Sequence, residues 1–467
     1  MNPGFSRRVQ PEAVKTAVRA GATVILLTCV SAAGPLGRPA DGLRRGPVRG
    51  AAFTPAGPCH GHAAADFDGR SDHAIGAPYA TVAGRVRAGT VAVSYGGHVS
   101  WLFMPVPGRG AGFGATLVTG DFNGDRCDDL AVAVPDQDPP RPGADGTGVV
   151  ALYYGSPRGL RPGRVLGVRD LHRTPGSDRF GTALEAGDLD GDGRDDLVVG
   201  APGLSGGGGV AVYTHGLRDA RLITQRTSWV GQRTSQTDGF GSALAIGDFD
   251  GGHDRELAVG APGDGDESSG AVTVLDPAAH RSRRITQDSA GVRGVSERYD
   301  KFGAAVAAAD VDHDGVDELA VGAPGEDRTR IPENYAAGAV HVLYASGRDD
   351  VWTLKKAGGY GRFGTTLATA DLNGDGTDDL VASATGRSAV QVLTGHRGRG
   401  LTRGALIMSP AGRTSQFGWT LTAHGRDLYV GAPGAGGFGG TVYRVHGRTR
   451  TPVQSGSNGE LLGYAVV

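Results

Sequence analysis

A Phe-Gly pair recurs at nearly regular intervals along most of the chain. The pair begins at Phe113, Phe180, Phe240, Phe302, Phe363 and Phe417, so successive copies are 67, 60, 62, 61 and 54 residues apart. A period near 60 residues is the size of one supersecondary unit. The chain is therefore expected to fold as a repeating array and not as a set of unrelated domains.

The same elements follow each Phe-Gly pair in a fixed order. Eight residues after each of the first five phenylalanines, an aspartate opens an acidic, glycine-rich loop. A Gly-Ala-Pro sequence or a weaker version of it comes next, and a valine-rich run typical of a β-strand follows. Seven copies of the Gly-Ala-Pro element are present, beginning at Gly76, Ala133, Gly200, Gly260, Gly322, Ser383 and Gly431.

Each unit accommodates about four short strands, which predicts the architecture. Sheets of four strands repeated around an axis form a β-propeller, and such folds have four to eight blades. A β-solenoid is the alternative, but its repeats are much shorter. The 82 glycines and 25 prolines disfavour a helical chain. The sequence predicts an all-β fold, a seven-bladed β-propeller of four-stranded antiparallel blades over residues 58–467.

The two ends of the repeat region are complementary. The segment beginning Leu462-Gly463 copies the spacing of the Phe-Gly element but stops before any acidic loop, whereas the first unit starts at Asp66 without a Phe-Gly pair. We expect the C-terminal segment to supply a strand to the first blade, because closure removes an exposed sheet edge.

These elements resemble the FG-GAP repeats of the N-terminal propeller of integrin α subunits and of many secreted bacterial proteins. The resemblance covers about residues 60–467. It implies a seven-bladed propeller with calcium bound in hairpin loops on one face. In integrins, ligands contact mainly the other face.

Four acidic loops have the ligand pattern of a calcium site. Oxygen-bearing side chains stand at positions 1, 3, 5 and 9, and a backbone carbonyl at position 7 completes a shell that suits Ca²⁺. Zinc is disfavoured, because the loops do not offer His or Cys consistently. The predicted ligands are Asp121, Asn123, Asp125, Cys127 and Asp129; Asp188, Asp190, Asp192, Arg194 and Asp196; Asp310, Asp312, Asp314, Val316 and Glu318; and Asp371, Asn373, Asp375, Thr377 and Asp379. The sequence thus predicts three to four Ca²⁺ ions.

The loops differ at position 6, where a sharp turn favours glycine. Glycine occupies it in the three best loops, whereas Arg126 replaces it in the loop from Asp121 and predicts weaker binding there. Occupancy of the loops from Asp66 and Asp248 is left open. An EF-hand is excluded, because position 12 of the best loop is Val199 instead of glutamate.

The N-terminal region is typical of an exported protein. Residues 1–33 contain basic residues, an apolar run and a small-residue cleavage site, and are predicted to be a signal peptide. Residues 34–57 are predicted to be a flexible Gly/Pro/Arg-rich leader. Lipid attachment at Cys29 is a weaker alternative, because Thr28 is unusual before a lipidated cysteine. The sequence thus predicts a secreted protein without a transmembrane segment.

Cys59 and Cys127 remain after removal of the predicted signal peptide. Cys59 lies seven residues before the first acidic loop, which for extended chain places it about 25 Å from that level. Cys127 lies within an acidic loop. A disulfide requires Cα atoms within about 7 Å, so the spacing predicts that these cysteines are not bridged.

The predicted function is that of a calcium-binding, non-catalytic protein-interaction or adhesion-like module, and the protein is expected to be monomeric. Its unknown protein or glycan ligand is expected on the face opposite the calcium loops, where Tyr79, Trp229 and Tyr335 are candidate contacts. The net charge of −2 gives no attraction for nucleic acid. A lectin-like propeller is an alternative function. A secreted esterase-like hydrolase is a further one, since Ser205 lies in a G-x-S-x-G sequence.

Overall fold

The structure is a computed structural model. It describes residue 59 and residues 65–68, 72–96, 98–104, 110–137, 146–252, 254–327, 335–355, 359–457 and 459–467. All of these belong to one compact unit, Ala52–Val467. The predicted signal peptide (1–33) and leader (34–57) lie outside the described residues.

Seven four-stranded antiparallel sheets form the blades of a ring. Blade 1 contains β1 (Asp72–Ala77), β2 (Thr90–Tyr95), β3 (His98–Leu102) and the last strand, β28 (Ala465–Val466). Blade 2 contains β4 (Leu117–Gly120), β5 (Asp129–Val134), β6 (Val149–Tyr154) and β7 (Arg161–Leu166). Blade 3 contains β8 (Leu184–Gly187), β9 (Asp196–Ala201), β10 (Gly209–Thr214) and β11 (Asp219–Ile223). Blade 4 contains β12 (Ala243–Gly247), β13 (Glu256–Ala261), β14 (Ala271–Asp276) and β15 (Arg281–Ile285). Blade 5 contains β16 (Ala305–Ala309), β17 (Glu318–Ala323), β18 (Ala339–Leu343) and β19 (Asp349–Trp352). Blade 6 contains β20 (Phe363–Ala370), β21 (Asp379–Ala384), β22 (Ala389–Thr394) and β23 (Thr402–Met408). Blade 7 contains β24 (Leu421–His424), β25 (Asp427–Ala432), β26 (Thr441–His446) and β27 (Thr449–Ser455). The predicted fold class is confirmed.

Burial follows strand position within each blade. The first strands of neighbouring blades contact one another around the ring. Every residue of the second strands β5, β9, β13, β17 and β21 is buried. These strands are covered on both faces by adjacent blades, so they are continuously apolar except at their ends. Outer strands such as β7 and β15 are mostly exposed and rich in arginine.

The Phe-Gly and Gly-Ala-Pro elements form the contact between blades. The phenylalanine is fully buried in all six Phe-Gly pairs. The first glycine of Gly-Ala-Pro lies directly against the carbonyl of the Phe-Gly glycine of the next blade. At Gly200, a Cβ atom would lie 2.0 Å from the oxygen of Gly241, and at Gly260 it would lie 2.1 Å from that of Gly303. Glycine allows the two backbones to meet at this position in five of the seven blades, whereas blades 2 and 6 carry Ala133 and Ser383 there.

The ring closes as the sequence predicts. β28 pairs with β1, with Val466 opposite Ile75 and Ala465 opposite Gly76. The inter-blade contact is repeated at the closure, where a Cβ at Gly431 would lie 2.1 Å from the oxygen of Gly463. The C-terminal strand thus occupies the innermost position of blade 1.

The prediction that Cys59 and Cys127 are not bridged is wrong. The structure contains a Cys59–Cys127 disulfide with a Cα–Cα distance of 5.0 Å. The prediction treated the chain before Asp66 as an extended strand leading away from the acidic loops. β28 occupies that strand position, so Cys59 stays at the level of the acidic loops, beside Cys127.

We predict that Gly260→Ala destabilises the propeller by about 1–3 kcal/mol, because the added methyl group forces blades 4 and 5 apart. Gly167→Ala is a matched control, since its Cβ would meet only Val149, at 3.7 Å. Urea unfolding of both variants is the measurement. Equal midpoints for the two variants would contradict the role assigned to this contact.

Removing the disulfide by Cys59→Ala should lower the free energy of unfolding by about 2–4 kcal/mol, because the bridge closes a long loop in the unfolded chain. The two cysteines are 68 residues apart. Thermal unfolding compares the variant with the wild type, and thiol titration of the denatured, unreduced wild type checks the bridge. Finding both thiols free would show that the bridge does not form.

Candidate metal centre

The acidic loops precede the second strand of each of the first six blades. We number them by blade: loop 1 (66–72), loop 2 (121–129), loop 3 (188–196), loop 4 (248–256), loop 5 (310–318) and loop 6 (371–379). In loops 2 to 6 the loop joins the innermost strand to the second strand, so these loops lie on one face of the ring. Positions 1 to 9 of a loop are counted from its first aspartate.

The aspartate at position 1 organises the turn. In loop 3, Asp188 Oδ1 accepts hydrogen bonds from the backbone N–H groups of Gly191 (2.7 Å) and Asp192 (3.1 Å), and its Oδ2 accepts one from Gly193 (3.0 Å). Loops 2 and 6 have the same three bonds, and loop 5 has two of them. The loop backbone is thus wrapped around one carboxylate, which fixes the directions of the others.

Three carboxylates converge in loops 3 and 5. In loop 3, oxygens of Asp188, Asp190 and Asp196 lie within 4.8 Å of one another. In loop 5, the residues at the same positions 1, 3 and 9 converge in the same way, namely Asp310, Asp312 and Glu318. Uncompensated carboxylates repel one another at this separation, and a hard divalent cation with oxygen ligands relieves that repulsion.

The carboxylate at position 9 is the most buried ligand. Asp196 is only 1% exposed, and its Oδ1 accepts no hydrogen bond from any described residue. Burial, together with the charges of Asp190 and Asp188, raises the pKa of Asp196 to about 7. Burial likewise raises the pKa of Glu318 to about 8. A buried carboxylate oxygen that has no hydrogen-bond donor among the described residues, in a group of converging carboxylates, fits a bound Ca²⁺ ion.

Loops 2 and 6 carry asparagine at position 3. The Asn123 amide nitrogen lies 3.3 Å from both carboxylate oxygens of Asp129, and that of Asn373 lies 3.4 Å from Asp379 Oδ1. If the amide N and O atoms of either asparagine are exchanged, the amide oxygen lies beside the position 9 carboxylate, where it could bind a cation. Burial raises the pKa of Asp129 to about 8 and that of Asp379 to about 6.

The predicted ligands at positions 5 and 7 have a different arrangement from positions 1, 3 and 9. The position 5 carboxylates each accept a hydrogen bond from the backbone N–H of position 7, at 2.9–3.0 Å. The pairs are Asp125 with Cys127, Asp192 with Arg194, Asp314 with Val316, and Asp375 with Thr377. The Arg194 side chain also forms an ion pair with Asp192. Positions 1, 3 and 9 converge in both loop 3 and loop 5, and in loop 3 ligand atoms of Asp190, Asp192 and His215 also lie within 4.8 Å of one another.

The structure adds two loops whose occupancy the sequence leaves open. Asp248, Asp250 and Glu256 converge in loop 4, although position 5 is glycine. In loop 1, Asp66, Asp68 and Asp72 converge and all three are buried. In loop 4, the sequence signal for this group is the acidic residues at positions 1, 3 and 9, although position 5 has no carboxylate.

Sequence reasoning also missed the role of position 8. In four loops this aspartate accepts a hydrogen bond from the position 1 backbone N–H of the preceding loop in space. Asp195 Oδ2 receives the N–H of Asp121 at 2.8 Å, and Asp317 Oδ2 receives that of Asp248 at 3.0 Å. Asp128 and Asp378 make the same bonds to Asp66 and Asp310. The consecutive acidic pair at positions 8 and 9 therefore has two functions, since position 8 joins neighbouring loops and position 9 faces the candidate ion.

Two of the three predicted aromatic contacts pack against protein groups. The Tyr79 ring lies 5.6 Å from that of Tyr464 and under the guanidinium of Arg87. Trp229 stacks at 5.6 Å on His280, which lies in the β14–β15 turn at the acidic-loop end of blade 4, so Trp229 is not on the predicted face. Tyr335, in contrast, is 45% exposed and borders a large groove.

The G-x-S-x-G sequence does not form a nucleophile elbow. Ser205 is exposed in a turn between β9 and β10, and Gly206, Gly207 and Gly208 after it all have positive φ. An elbow requires a helix directly after the serine. This arrangement offers no support for Ser205 as a nucleophile.

Together, the seven blades form a β-propeller ring with acidic hairpin loops on one face that could hold divalent cations. Five segments of the chain match the FG-GAP repeat, at residues 113–153, 180–213, 240–275, 302–343 and 363–395. The chain therefore carries FG-GAP repeats and has integrin alpha homologues.

Among curated relatives, integrin alpha-IIb of Homo sapiens is 32% identical over 292 residues, which cover 56% of this chain and 27% of the integrin. Phosphatidylinositol-glycan-specific phospholipase D of Rattus norvegicus is 27% identical over 367 residues, covering 68% of this chain and 41% of the relative. The matches thus span less than half the length of either relative. A solved structure of virginiamycin B lyase from Staphylococcus aureus aligns with a TM-score of 0.46 and 9% identity over 75% of this chain and 89% of that chain. That level of similarity carries no functional argument.

Position 6 gives a matched pair of substitutions. Arg126 has φ 70°, in the left-handed region that Gly193 adopts at φ 83° in loop 3. A side chain there costs about 1–2 kcal/mol. We therefore predict that Gly193→Ala lowers the free energy of unfolding by about 1 kcal/mol. Arg126→Gly should raise it by only about a few tenths of a kcal/mol, because the greater entropy that glycine loses on folding offsets most of the strain that is relieved.

Urea unfolding in excess chelator measures both variants without a contribution from bound cation. The free energy of unfolding should fall in Gly193→Ala and rise in Arg126→Gly. A loss of stability in Arg126→Gly equal to that in Gly193→Ala would show that position 6 is not strained.

Proposed function

We propose that the protein is an exported, calcium-binding interaction module without catalytic activity. The observation that carries this proposal is the convergence of three carboxylates in loop 3 around the buried, unpartnered Oδ1 of Asp196. Loop 5 repeats the arrangement, and loops 2 and 6 have the related Asn-containing pattern. Calcium is the cation whose ligand preferences match these oxygen-rich, irregular loops.

Calcium in this position would stabilise the ring as well as the individual loops. The position 8 aspartates tie loop 1 to loop 2, loop 2 to loop 3, loop 4 to loop 5, and loop 5 to loop 6. An ion that orders one loop therefore also orders the backbone to which the neighbouring blade is bonded. The expected role of calcium is structural, in keeping the blades in register.

Export is supported by two features. The first is the N-terminal sequence pattern of residues 1–33. The second is the Cys59–Cys127 bridge, because disulfides persist mainly in oxidising compartments. In the described part of the chain, none of the helices has the length and apolar character needed to cross a membrane.

The interaction role is supported by the difference between the two faces of the ring. The acidic loops occupy one face, and the connections that vary in length and carry exposed aromatic side chains occupy the other. The integrin relatives suggest an adhesion-like ligand on that second face. The phospholipase D relatives support a catalytic function as the alternative. The turn that contains Ser205 does not have the geometry of a nucleophile elbow and gives that alternative no support.

Calcium should raise the melting temperature of the purified protein by many degrees relative to excess chelator. A site occupied at 100 times its dissociation constant adds about 2.7 kcal/mol to the free energy of unfolding. The Asp188→Asn and Asp310→Asn variants should each lose part of this increment. Glu460→Gln, a carboxylate outside the acidic loops, is the control and should keep all of it.

The measurement is differential scanning calorimetry in 1 mM calcium, in 1 mM magnesium and in chelator. An unchanged melting temperature with and without calcium would refute the calcium part of the proposal. A calcium increment that survives in both loop variants would place the ions elsewhere.

A further inference from the structure

A histidine lies beside the carboxylates of loop 3. His215 follows β10 in the β10–β11 turn, which lies at the acidic-loop end of blade 3. Ligand atoms of His215, Asp190 and Asp192 lie within 4.8 Å of one another. Of the five groups of three metal-ligating side chains in the described part of the chain, this one contains a histidine, whereas the other four consist of carboxylates. The group therefore offers a nitrogen ligand that the other groups lack.

His215 occupies a turn position that is glycine in three other blades. The residue directly after the third strand is Gly96 in blade 1, Gly155 in blade 2 and Gly395 in blade 6. In each of these blades the glycine N–H donates to the last carboxylate of the acidic loop, at 2.9–3.2 Å. In blade 3, His215 replaces this glycine, and its imidazole lies beside Asp190. The turn of blade 3 thus brings a side chain to its acidic loop where the other three blades bring a backbone N–H group.

The two ring nitrogens of His215 face different carboxylates. Nδ1 lies 3.3 Å from Asp219 Oδ2 and 3.0 Å from Thr214 Oγ1, whereas Nε2 lies 3.6 Å from Asp190 Oδ2. Metal-binding histidines usually donate one ring N–H to a carboxylate or a similar acceptor, and the other nitrogen is the ligand. Asp219 is placed to accept the Nδ1 hydrogen, so Nε2 is the nitrogen that presents its lone pair to the carboxylates of loop 3.

The distance between His215 Nε2 and Asp190 Oδ2 suits two ligands of one zinc ion. At 3.6 Å the two atoms are too far apart for a hydrogen bond. Two ligands of a tetrahedral zinc ion lie about 3.3–3.4 Å from each other, because each is about 2.0–2.1 Å from the ion. Calcium takes oxygen ligands, whereas an imidazole nitrogen with carboxylate oxygens suits zinc. The nitrogen therefore favours a different ion from the one that fits the oxygen-only groups.

We propose that His215, Asp190 and Asp192 form a zinc site at the edge of loop 3, with Asp219 as the positioning residue for the imidazole. Water completes the tetrahedral coordination, because three protein ligands leave one position open. Asp190 belongs to both groups of loop 3, so the zinc site and the proposed calcium site share this carboxylate. The zinc site goes beyond the proposed function and does not depend on calcium being the ion in the other loops.

Arg194 competes with the zinc ion for Asp192. Its guanidinium pairs with the Asp192 carboxylate, and both carboxylate oxygens receive hydrogen bonds from Arg194. Zinc has to displace this side chain, because both cations require the same oxygens. Exposed ion pairs of this kind contribute little to stability, so the displacement is readily made. Removal of the Arg194 side chain should therefore strengthen zinc binding, whereas removal of a ligand should weaken it.

Isothermal titration calorimetry with zinc chloride tests the proposal, using protein without a histidine tag in 1 mM calcium. His215→Ala should weaken zinc binding by roughly a hundredfold or more and Asp219→Ala by roughly tenfold, because loss of a carboxylate that orients a ligand costs less than loss of the ligand itself. Arg194→Ala should strengthen zinc binding by roughly two- to fivefold, the range expected for loss of an exposed ion pair.

His396→Ala is the matched control. His396 lies in the β22–β23 turn of blade 6, at the same end of the ring, and its Nε2 lies 2.7 Å from Thr402 Oγ1. It belongs to none of the groups of three metal-ligating side chains among the described residues. This variant should bind zinc as the wild type does. The His215 and Asp219 variants should melt at the wild-type temperature in calcium without zinc, which shows that they are folded.

Three results would overturn the proposal: no zinc binding by the wild type, zinc binding that His215→Ala leaves unchanged, or equal weakening by His215→Ala and His396→Ala. The first result would make His215 a protonated partner of Asp190 and Asp219, an arrangement that the distances also fit. Zinc titration and melting in calcium are separate readouts. Loss of the zinc site with an intact calcium increment would leave the proposed function in place, and zinc binding that requires His215 would stand without any calcium increment.

Discussion

The close approach of two glycine backbones between neighbouring blades is the contact on which the structure depends. The Gly-Ala-Pro glycine of one blade lies against the Phe-Gly carbonyl of the next, and the adjacent phenylalanine is fully buried. A side chain at the first position would separate the blades, as the 2.0 Å distance from a Cβ of Gly200 to the Gly241 oxygen shows. Blades 2 and 6 carry Ala133 and Ser383 there, so these interfaces accommodate a Cβ by local adjustment. The same contact at Gly431 and Gly463 closes the ring.

This contact holds the acidic loops on one face in fixed positions, whereas the connections on the opposite face can vary in length. With the blades in register, aspartates at position 8 bond loop 1 to loop 2, loop 2 to loop 3, loop 4 to loop 5 and loop 5 to loop 6. Under the proposed function, cation binding would therefore stabilise the ring on that face. The opposite face carries connections of unequal length. A rigid ring with one conserved-geometry face and one variable face is a suitable scaffold for recognition.

Much of the fold could be predicted because its determinants are local and repeated. The seven Gly-Ala-Pro elements predicted the number of blades, and the incomplete repeats at Asp66 and Leu462 predicted the closure. The Cys59–Cys127 bridge was not foreseen, since it depends on β28 displacing the chain before Asp66 from the innermost position. The tie made by Asp195 was missed because it joins residues 74 positions apart. Tyr335 was anticipated as an exposed contact, whereas the packing of Tyr79 and Trp229 depends on neighbours that the sequence alone does not place.

A crystal structure of the protein grown with calcium, with anomalous diffraction data collected at long wavelength, tests the central claim most directly. The account predicts anomalous peaks in loops 3 and 5, each coordinated by the side chains at positions 1, 3 and 9, with further peaks in loops 2 and 6. Acidic loops that keep their hairpin geometry but show no anomalous density in calcium would contradict it. The repeat would then stabilise a propeller whose acidic loops serve as turns.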